Sequence, residues 1–248
     1  MRRSALVVAH PGHELRVHGW MERERPLVFV LTDGSGGAGQ PRLASSRRLL
    51  EATGGHPAPV FGEYTDRELY AAILGGDVDF FRGIVGRIAA ALAEHRIDTV
   101  VGDSAEGYNS AHDACRLLVD AAVGERQRGG GPTESYEYPV VGGSPAHDVP
   151  PAMQVSLDGP ALERKLAAAR RYDGLDGEVE AAIDRHGVDG LRTECFFRAT
   201  GRAWVPAPDE KPFYETYGER QVAAGRYATV LRYADHMLPL ARALCGGR

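Results

Sequence analysis

The stretch Ser4-Ala5-Leu6-Val7-Val8-Ala9-His10-Pro11-Gly12-His13-Glu14 joins a continuous apolar run to a polar turn. Such a run predicts a β-strand that is buried on both faces, as in parallel sheets. In open α/β sheets, ligands bind just outside the carboxyl ends of the strands. His10 and His13 therefore occupy a place where a binding site is expected. Two neutral imidazoles in one turn add little to packing and are good ligands for a divalent metal.

The strand-and-turn pattern recurs along the first half of the chain. Three further apolar runs predict strands, over 27–31, 98–102 and 138–141. Helical periodicity separates them, most clearly over 78–95. This alternation predicts an α/β fold, a Rossmann-like three-layer αβα arrangement with a mostly parallel sheet. We interpret 1–150 as the core and 151–248 as a smaller C-terminal cap that completes the same domain, with a last helix over 221–233.

Composition narrows the class of protein. The chain has 248 residues, of which 43% are hydrophobic and 25% charged, so it can bury a sizeable core. Its net charge of −5 argues against nucleic acid as a partner. The first apolar run is too short for a membrane span or a signal peptide, and three cysteines without CxxC spacing predict no disulfide framework. We therefore expect a cytoplasmic protein without a membrane span.

A third histidine extends the predicted site. His112 follows the strand predicted over 98–102, and short α/β connections favour placing that strand beside the first. Three histidines with an open coordination position form a typical catalytic zinc centre. The spacing therefore predicts a zinc site made by His10, His13 and His112, although each histidine taken alone is more often an ordinary polar residue at a strand end.

Four segments of the first half resemble one enzyme family. Ala9-His10-Pro11-Gly12-His13-Glu14 resembles the Ala-His-Pro-Asp-Asp-Glu signature of the PIG-L/LmbE-like N-deacetylases. That family's second strand, its Arg-x-x-Glu-Ala helix and its His-x-x-His motif have counterparts in Val30-Leu31-Thr32-Asp33-Gly34, Arg48-Leu49-Leu50-Glu51-Ala52 and Asn109-Ser110-Ala111-His112. The resemblance covers about residues 4–123. It implies a zinc-dependent hydrolase that removes acetyl groups from N-acetylglucosamine-containing glycoconjugates.

The resemblance also implies roles for individual positions. His10, His13 and His112 would hold one Zn²⁺ per chain, with His13 in place of an aspartate ligand. Two proton-handling positions differ from the family, because its general base is Gly12 here and the first histidine of its His-x-x-His motif is Asn109. Three imidazoles leave the full charge of Zn²⁺ uncompensated, which would bring the pKa of water toward about 7 without a carboxylate base.

Other polar residues near the predicted strand ends are candidates for catalysis or binding. Glu14 is a candidate proton-transfer group, although an acidic residue in a first helical turn can simply complement the helix dipole. Asp103 is a second candidate, or an acceptor that orients a ligand histidine, and Asn109 is a candidate donor to an oxyanion. The candidates for substrate binding are Asp33, Arg48 and Tyr108. A glycine-rich loop over 34–39 suits contact with a phosphate or sugar, and His147 is a spare acid or base.

Four interpretations of the function remain open at this point. The first is a zinc-dependent N-deacetylase of an acetylated amino sugar or glycoconjugate, and the second is a metal-dependent hydrolase of another amide or ester. The third is a non-catalytic sugar- or metal-binding protein on a degenerate deacetylase scaffold. The fourth is a nucleotide-binding Rossmann protein, which leaves the histidines unexplained. All of them expect a small-molecule or glycoconjugate ligand and allow a homo-oligomer.

Overall fold

A mostly parallel sheet forms the centre of the protein. The structure is a computed structural model that describes residues 3–36, 40–141, 149–207 and 209–246. Within these ranges seven strands make one sheet in the order β3-β2-β1-β4-β5-β7-β6. The strands are β1 (Ser4–Val8), β2 (Leu27–Thr32), β3 (His56–Tyr64), β4 (Thr99–Asp103), β5 (Glu134–Tyr138), β6 (Met153–Ser156) and β7 (Thr193–Arg198). The first five are parallel to one another, whereas β7 runs antiparallel to β5 and β6.

Helices cover both faces of the sheet. They are α1 (His18–Glu24), α2 (Leu43–Thr53), α3 (Asp66–Gly75), α4 (Val78–Glu94), α5 (Ser110–Arg128), α6 (Gly159–Arg170), α7 (Asp176–Gly190), α8 (Phe213–Ala223) and α9 (Leu238–Cys245). A 3₁₀ helix over His13–Val17 precedes α1, and a π-helix over Tyr233–Met237 precedes α9. The α7 segment is kinked at Gly187.

Alternation along β1 explains the three layers. Successive side chains of a strand point to opposite faces. Ala5 and Val7 belong to the hydrophobic cluster that includes α4, α5 and α9, whereas Leu6 and Val8 belong to the cluster that includes α1, α2 and α6. All four are fully buried. The predicted three-layer α/β fold is therefore confirmed.

The register of β1 and β4 positions the predicted site. The two strands are parallel neighbours, with Ala5 opposite Val100 and Val7 opposite Gly102. Their carboxyl ends therefore lie side by side. The turn after β1 and the loop after β4, which carry the candidate histidines, leave the sheet at the same edge.

Two predicted elements are wrong in position. The strand expected over 138–141 is β5, which ends at Tyr138, because Pro139 has no N–H to continue the ladder. The helix expected over 221–233 is absent from the described residues as one element. Instead α8 ends at Ala223, before Gly225 with φ of 68°. Strand β3 and helix α3 were not predicted from the sequence.

The second half of the chain adds to the sheet of the first half. Strand β7 pairs with β5 from the first half, and β6 pairs with β7. Glu194 on β7 is buried and accepts hydrogen bonds from the backbone N–H groups of Gly19 and Trp20 in the first turn of α1. Lys165 on α6 pairs with the same carboxylate at 2.8 Å. The boundary near residue 150 stays a prediction.

Candidate active site

The three candidate histidines lie together at the carboxyl edge of the sheet. His10 follows β1, His13 opens the 3₁₀ helix and His112 lies in the first turn of α5. Their ring centroids are 5.3 Å apart for His10 and His13, 5.2 Å for His10 and His112, and 4.5 Å for His13 and His112. His112 is buried, and the other two side chains are 12% and 15% exposed. The edge of the sheet thus carries a compact, largely buried histidine cluster.

Asp103 holds the ring of His13. Its Oδ2 atom lies 2.7 Å from Nδ1 of His13 and accepts the backbone N–H of Ala9, while Oδ1 accepts the hydroxyl of Tyr138. Burial is the largest influence on this fully buried carboxyl and would raise its pKa, but His13, His112 and the N–H of Ala9 together outweigh burial and lower the pKa to about 2. An ionised acceptor at Nδ1 favours the tautomer with hydrogen on that atom, so Nε2 of His13 is left for a ligand.

A second carboxylate, which was not predicted from the sequence, lies beside the ring of His10. Nδ1 of His10 lies 2.8 Å from Oδ1 of Asp66 and 2.8 Å from the hydroxyl oxygen of Thr32. The other Asp66 oxygen accepts the backbone N–H of Gly36. Burial would raise the pKa of Asp66, yet the hydrogen bond and charge of His10 keep it below its usual range. Asp66 therefore joins His10 to the glycine-rich loop.

A local signal for Asp66 is present in the sequence. It is the first residue of α3, directly after the N-cap residue Thr65. Thr65 and Glu68 form a capping box, in which each side chain accepts the other residue's backbone N–H. The Thr-x-x-Glu pattern after an apolar-alternating stretch indicates a helix start at a strand end, which is where the site lies.

Several properties of the histidine cluster fit a metal ion. Nε2 of His10 and Nδ1 of His112 are buried and have no hydrogen-bond partner among the described residues. Burial, followed by the neighbouring His13 and His10 rings, lowers the pKa of His112 well below its usual value, so its ring is neutral, as a ligand must be. Three imidazoles on one tetrahedral ion would have centroids about 5 Å apart.

The cluster is not a finished coordination sphere. In the described part of the chain, no group of three or more histidine, cysteine or carboxylate side chains is arranged so as to hold a metal ion. The rings meet edge to face, with interplanar angles of 88°, 63° and 90°. Spacing, burial and unpartnered nitrogens suit a metal, and turning of the rings would still be needed to converge their donor atoms.

A side chain would be strained at Gly12, the position of the family's general base. Gly12 has φ of 112°, a conformation that side chains rarely adopt. A Cβ atom built there would lie 2.6 Å from Cδ1 of Leu175, at the start of α7. The positive φ therefore favours glycine at this position, and any side chain there would also have to displace the Leu175 methyl group, which the C-terminal half supplies.

Glu14 is used as a buried hydrogen-bond acceptor. Its carboxylate is fully buried and accepts the backbone N–H of Gly12 at 2.7 Å, the hydroxyl of Ser46 at 2.6 Å and the hydroxyl of Tyr172 at 2.7 Å. These contacts tie the histidine turn to α2 and to the segment after α6. A catalytic role for Glu14 stays a prediction.

The remaining candidates have varied surroundings. Asn109 caps α5, because its side-chain oxygen accepts the N–H of Ala111. Tyr108 is exposed, and Asp33 accepts the N–H of Ser35 in a turn. Arg48 forms an ion pair with the exposed Asp173 at 2.7 Å. This contact does not involve the histidine rings. The substrate-binding roles of these side chains stay predictions. His147 and the 37–39 part of the glycine-rich loop lie outside the described residues.

Comparison with solved structures agrees with the fold. The conserved protein TT1542 from Thermus thermophilus has a TM-score of 0.53 and 20% identity, over 85% of this chain and 100% of that chain. A triple mutant of the deacetylase Orf2 from the teicoplanin biosynthetic pathway has a TM-score of 0.52 and 14% identity, over 80% of this chain and 99% of that chain. The zinc-inhibited form of Orf2 has a TM-score of 0.50 and 14% identity, over 79% and 99%.

A second antibiotic deacetylase has the same fold. Dbv21, the deacetylase of the A40926 pseudoaglycone, has a TM-score of 0.50 and 18% identity, over 79% of this chain and 96% of that chain. No protein-family model matches the chain, and no curated protein matches it.

Among the described residues, no helix combines the length and apolar character needed to cross a membrane.

Proposed function

We propose that the protein is a metal-dependent hydrolase of the N-deacetylase type, acting on an acetylated amino sugar or glycoconjugate. The observation that carries the proposal is the cluster of His10, His13 and His112 at the carboxyl edge of the sheet. Support also comes from the fold, because two proteins that share it are deacetylases of antibiotics. The reaction is addition of water to the acyl carbon, cleavage of the C–N bond and release of the protonated amine.

The three histidines would hold one Zn²⁺. A bound zinc ion supplies Lewis acidity, which polarises an acyl carbonyl and brings the pKa of water toward about 7. The chain's own groups prepare the ligands. Asp103 would retain hydrogen on Nδ1 of His13, and the Thr32 hydroxyl, with the Asp66 carboxylate beside it, would do so on Nδ1 of His10, which leaves the opposite nitrogens for the metal. Burial keeps the ring of His112 neutral.

Other residues would act on the substrate and on the turn. The side-chain nitrogen of Asn109 is not part of the helix cap and would donate a hydrogen bond to the oxyanion. Glu14 would position the turn that carries His10 and His13 through its hydrogen bond from Gly12. Asp33, Arg48 and Tyr108 remain proposed substrate contacts, and the small-molecule substrate, a cytoplasmic location and a homo-oligomer remain proposals as well.

Metal content tests the ligand assignment. We expect about one zinc per purified chain by elemental analysis, and loss of that zinc in His10→Ala and His112→Ala. His95→Ala is a matched control, because His95 is exposed at the end of α4. Absence of stoichiometric metal after reconstitution with Zn²⁺, or retention of zinc in both ligand variants, would remove the basis of the proposal.

Turnover tests the reaction separately. Zinc-loaded protein should release a primary amine and acetate from N-acetylglucosamine glycosides, and the ligand variants should not. If zinc binds but only simpler amides or esters are cleaved, the protein is a hydrolase of another substrate class.

One observation favours a second candidate function. Gly12 cannot be replaced by the family's base without strain at φ of 112° and contact with Leu175. This arrangement favours a non-catalytic metal- or sugar-binding protein on the same scaffold. Zinc binding without turnover of acetylated sugars, amides or esters would identify that case.

A further inference from the structure

The helical segment that begins at the histidine turn is broken in the middle. Its first part, His13–Val17, is a 3₁₀ helix that opens with the candidate ligand His13, and its second part is α1. Five residues is long for a 3₁₀ helix, whose hydrogen bonds have poorer geometry than those of an α-helix. The N-cap residue of α1 is Val17, whose side chain cannot accept the free N–H groups of the helix start. The break therefore needs partners from elsewhere in the chain.

A buried ion pair from the C-terminal half supplies these partners. Glu194 on β7 accepts the N–H of Gly19 at 2.9 Å and the N–H of Trp20 at 2.8 Å. Lys165 on α6 donates to the carbonyl of Arg16 at 2.9 Å and to Glu194 at 2.8 Å. The side chains of Lys165 and Glu194 are 10% and 1% exposed. The ion pair thus contacts the backbone on both sides of the break.

The two backbone groups that face the ion pair are ones that a continuous α-helix would join. In such a helix the N–H of each residue donates to the carbonyl four residues earlier, so Trp20 would donate to Arg16. Here Glu194 is a partner of that N–H, and Lys165 is a partner of that carbonyl. The ion pair therefore favours the broken conformation over a continuous helix.

The C-terminal half contacts the same segment at other points as well. A Cβ atom built at Gly19 would lie 2.1 Å from Cδ2 of Leu157, which follows β6. The glycine therefore lets the C-terminal half approach α1 closely. The hydroxyl of Tyr172 donates to Glu14 within the 3₁₀ helix. The ion pair is thus one part of a packed contact between the C-terminal half and the residues that follow the histidine turn.

The conformation of this segment determines where the ring of His13 points. A 3₁₀ helix turns by about 120° per residue and an α-helix by about 100°, so conversion changes the direction of a side chain by about 20° for each residue. His13 lies four residues before Val17. Conversion of all four residues would turn its side chain by about 80°, away from Asp103 and His112. A stable break is therefore a condition for the histidine cluster.

We infer that Lys165 and Glu194 are positioning residues for His13, which they act on through the backbone of the 3₁₀ helix. The inference rests on the proposed function for the role of His13 as a metal ligand. By holding the break between the 3₁₀ helix and α1, the ion pair would keep the His13 ring directed at the metal. Tight metal binding would then depend on the C-terminal half of the chain.

The affinity for Zn²⁺, measured in competition with a chelator, tests the inference without turnover. Both charges are removed together in Lys165→Met/Glu194→Met, because a single substitution would leave the other charge buried and unpaired. We expect Zn²⁺ to bind about 2- to 30-fold more weakly, the range for residues that act through a connected network. Lys165→Met/Glu194→Gln keeps an acceptor at the start of α1 and should weaken binding less. The visible absorption of the Co²⁺-loaded protein should also change, since it depends on ligand geometry.

A second ion pair between the same two helices provides a matched control. Arg164 on α6 and Glu22 on α1 form a partly exposed ion pair with hydrogen bonds of 2.7 and 2.9 Å, which join side chains only. Arg164→Met/Glu22→Met should leave the affinity for Zn²⁺ unchanged. Denaturant unfolding of the metal-free proteins establishes that each variant is folded. A purely structural role of Lys165 and Glu194 would lower the free energy of unfolding and leave the zinc affinity of the folded protein unchanged.

The outcomes distinguish this inference from the proposed function. Zn²⁺ binding by the wild type that the folded double-methionine variant retains in full would overturn the inference and leave the proposed function intact. An equal loss in the Arg164→Met/Glu22→Met control would also overturn it, because any contact between the two helices would then have the same effect. Absence of Zn²⁺ binding by the wild type would remove the proposed function and the positioning role with it. If the double-methionine variant is unfolded, Lys165→Met/Glu194→Gln decides by the same criterion.

Discussion

Replacement of Gly12 should destabilise the protein much more than replacement of an ordinary glycine with positive φ. Gly12 combines φ of 112° with a Cβ position 2.6 Å from Leu175. Backbone strain of this kind costs about 1–3 kcal/mol, and overpacking a buried contact costs about 1–3 kcal/mol more. The smaller entropy of the unfolded alanine chain offsets about 0.4–1 kcal/mol. Gly12→Ala should therefore lower the free energy of unfolding by about 2–5 kcal/mol.

A matched glycine separates the two contributions. Gly76 ends α3 with φ of 62°, and a Cβ atom there would have no neighbour within 4 Å. Gly76→Ala measures strain without a clash and should cost only about 1–2 kcal/mol. The free energies would be measured by denaturant unfolding, with the slope compared across variants to check that the unfolded states are similar.

A double-mutant cycle assigns the clash to its partner. Leu175→Ala alone should cost about 2–5 kcal/mol, because Leu175 is buried in a cluster with Leu15, Leu49 and Tyr172. In the Leu175→Ala background, Gly12→Ala should cost about 1–3 kcal/mol less than in the wild type. Equal costs for Gly12→Ala and Gly76→Ala, together with no coupling to Leu175, would refute the packing argument. The same strain should keep Gly12→Asp from restoring a general base in the wild-type background.

The other two predictions concern carboxylates. Asp66→Ala should weaken Zn²⁺ binding about 10- to 100-fold in competition with a chelator, because His10 loses the carboxylate beside its Nδ1 atom and keeps only the Thr32 hydroxyl there. Asp66→Asn should weaken binding less, and Asp79→Ala, at an exposed residue, should leave it unchanged. Unchanged affinity in Asp66→Ala would contradict this role. Burial raises the pKa of Asp113 to about 7, so its ionisation opposes folding and the free energy of unfolding falls as pH rises from about 4 to 7. Asp113→Asn should remove up to about 1.4 kcal/mol per pH unit of that fall. Unfolding of the wild type and of Asp113→Asn at pH 5 and pH 7.5 measures this difference. An identical pH dependence of the two proteins would contradict the prediction.

The sheet and the histidine cluster are predictable because they follow from strong local signals and one topological rule. The apolar run before His10 and the run before His112 each predict a buried strand. Parallel neighbours in an α/β sheet bring their carboxyl ends to one edge. The structure confirms that β1 and β4 are such neighbours. Only their adjacency had to be assumed, and short connections favour it.

The carboxylate behind His10 was not predicted because its strand carries a weak signal. Strand β3 contains Pro57 and Pro59 and lies at the edge of the sheet, where proline is tolerated. Proline residues argue against a strand when only the sequence is known, so the junction with α3 and Asp66 was not predicted.

The constraint on Gly12 is a different case. It depends on Leu175, more than 150 residues away, and no local pattern reports such a contact.

The carboxylates of the candidate site lie at other positions than in the family that the chain resembles. That family has two aspartates after proline, whereas this chain has Gly12 and His13. Two carboxylates are nevertheless present, Asp103 behind His13 and Asp66 behind His10. A carboxylate behind a histidine lies farther from a bound ion than a ligating carboxylate, so it neutralises less of the ion's charge. In the proposed site the histidines would remain well oriented while the metal stays strongly electrophilic. Such a site depends less on a carboxylate base, which is the group that the backbone conformation of Gly12 and its contact with Leu175 disfavour.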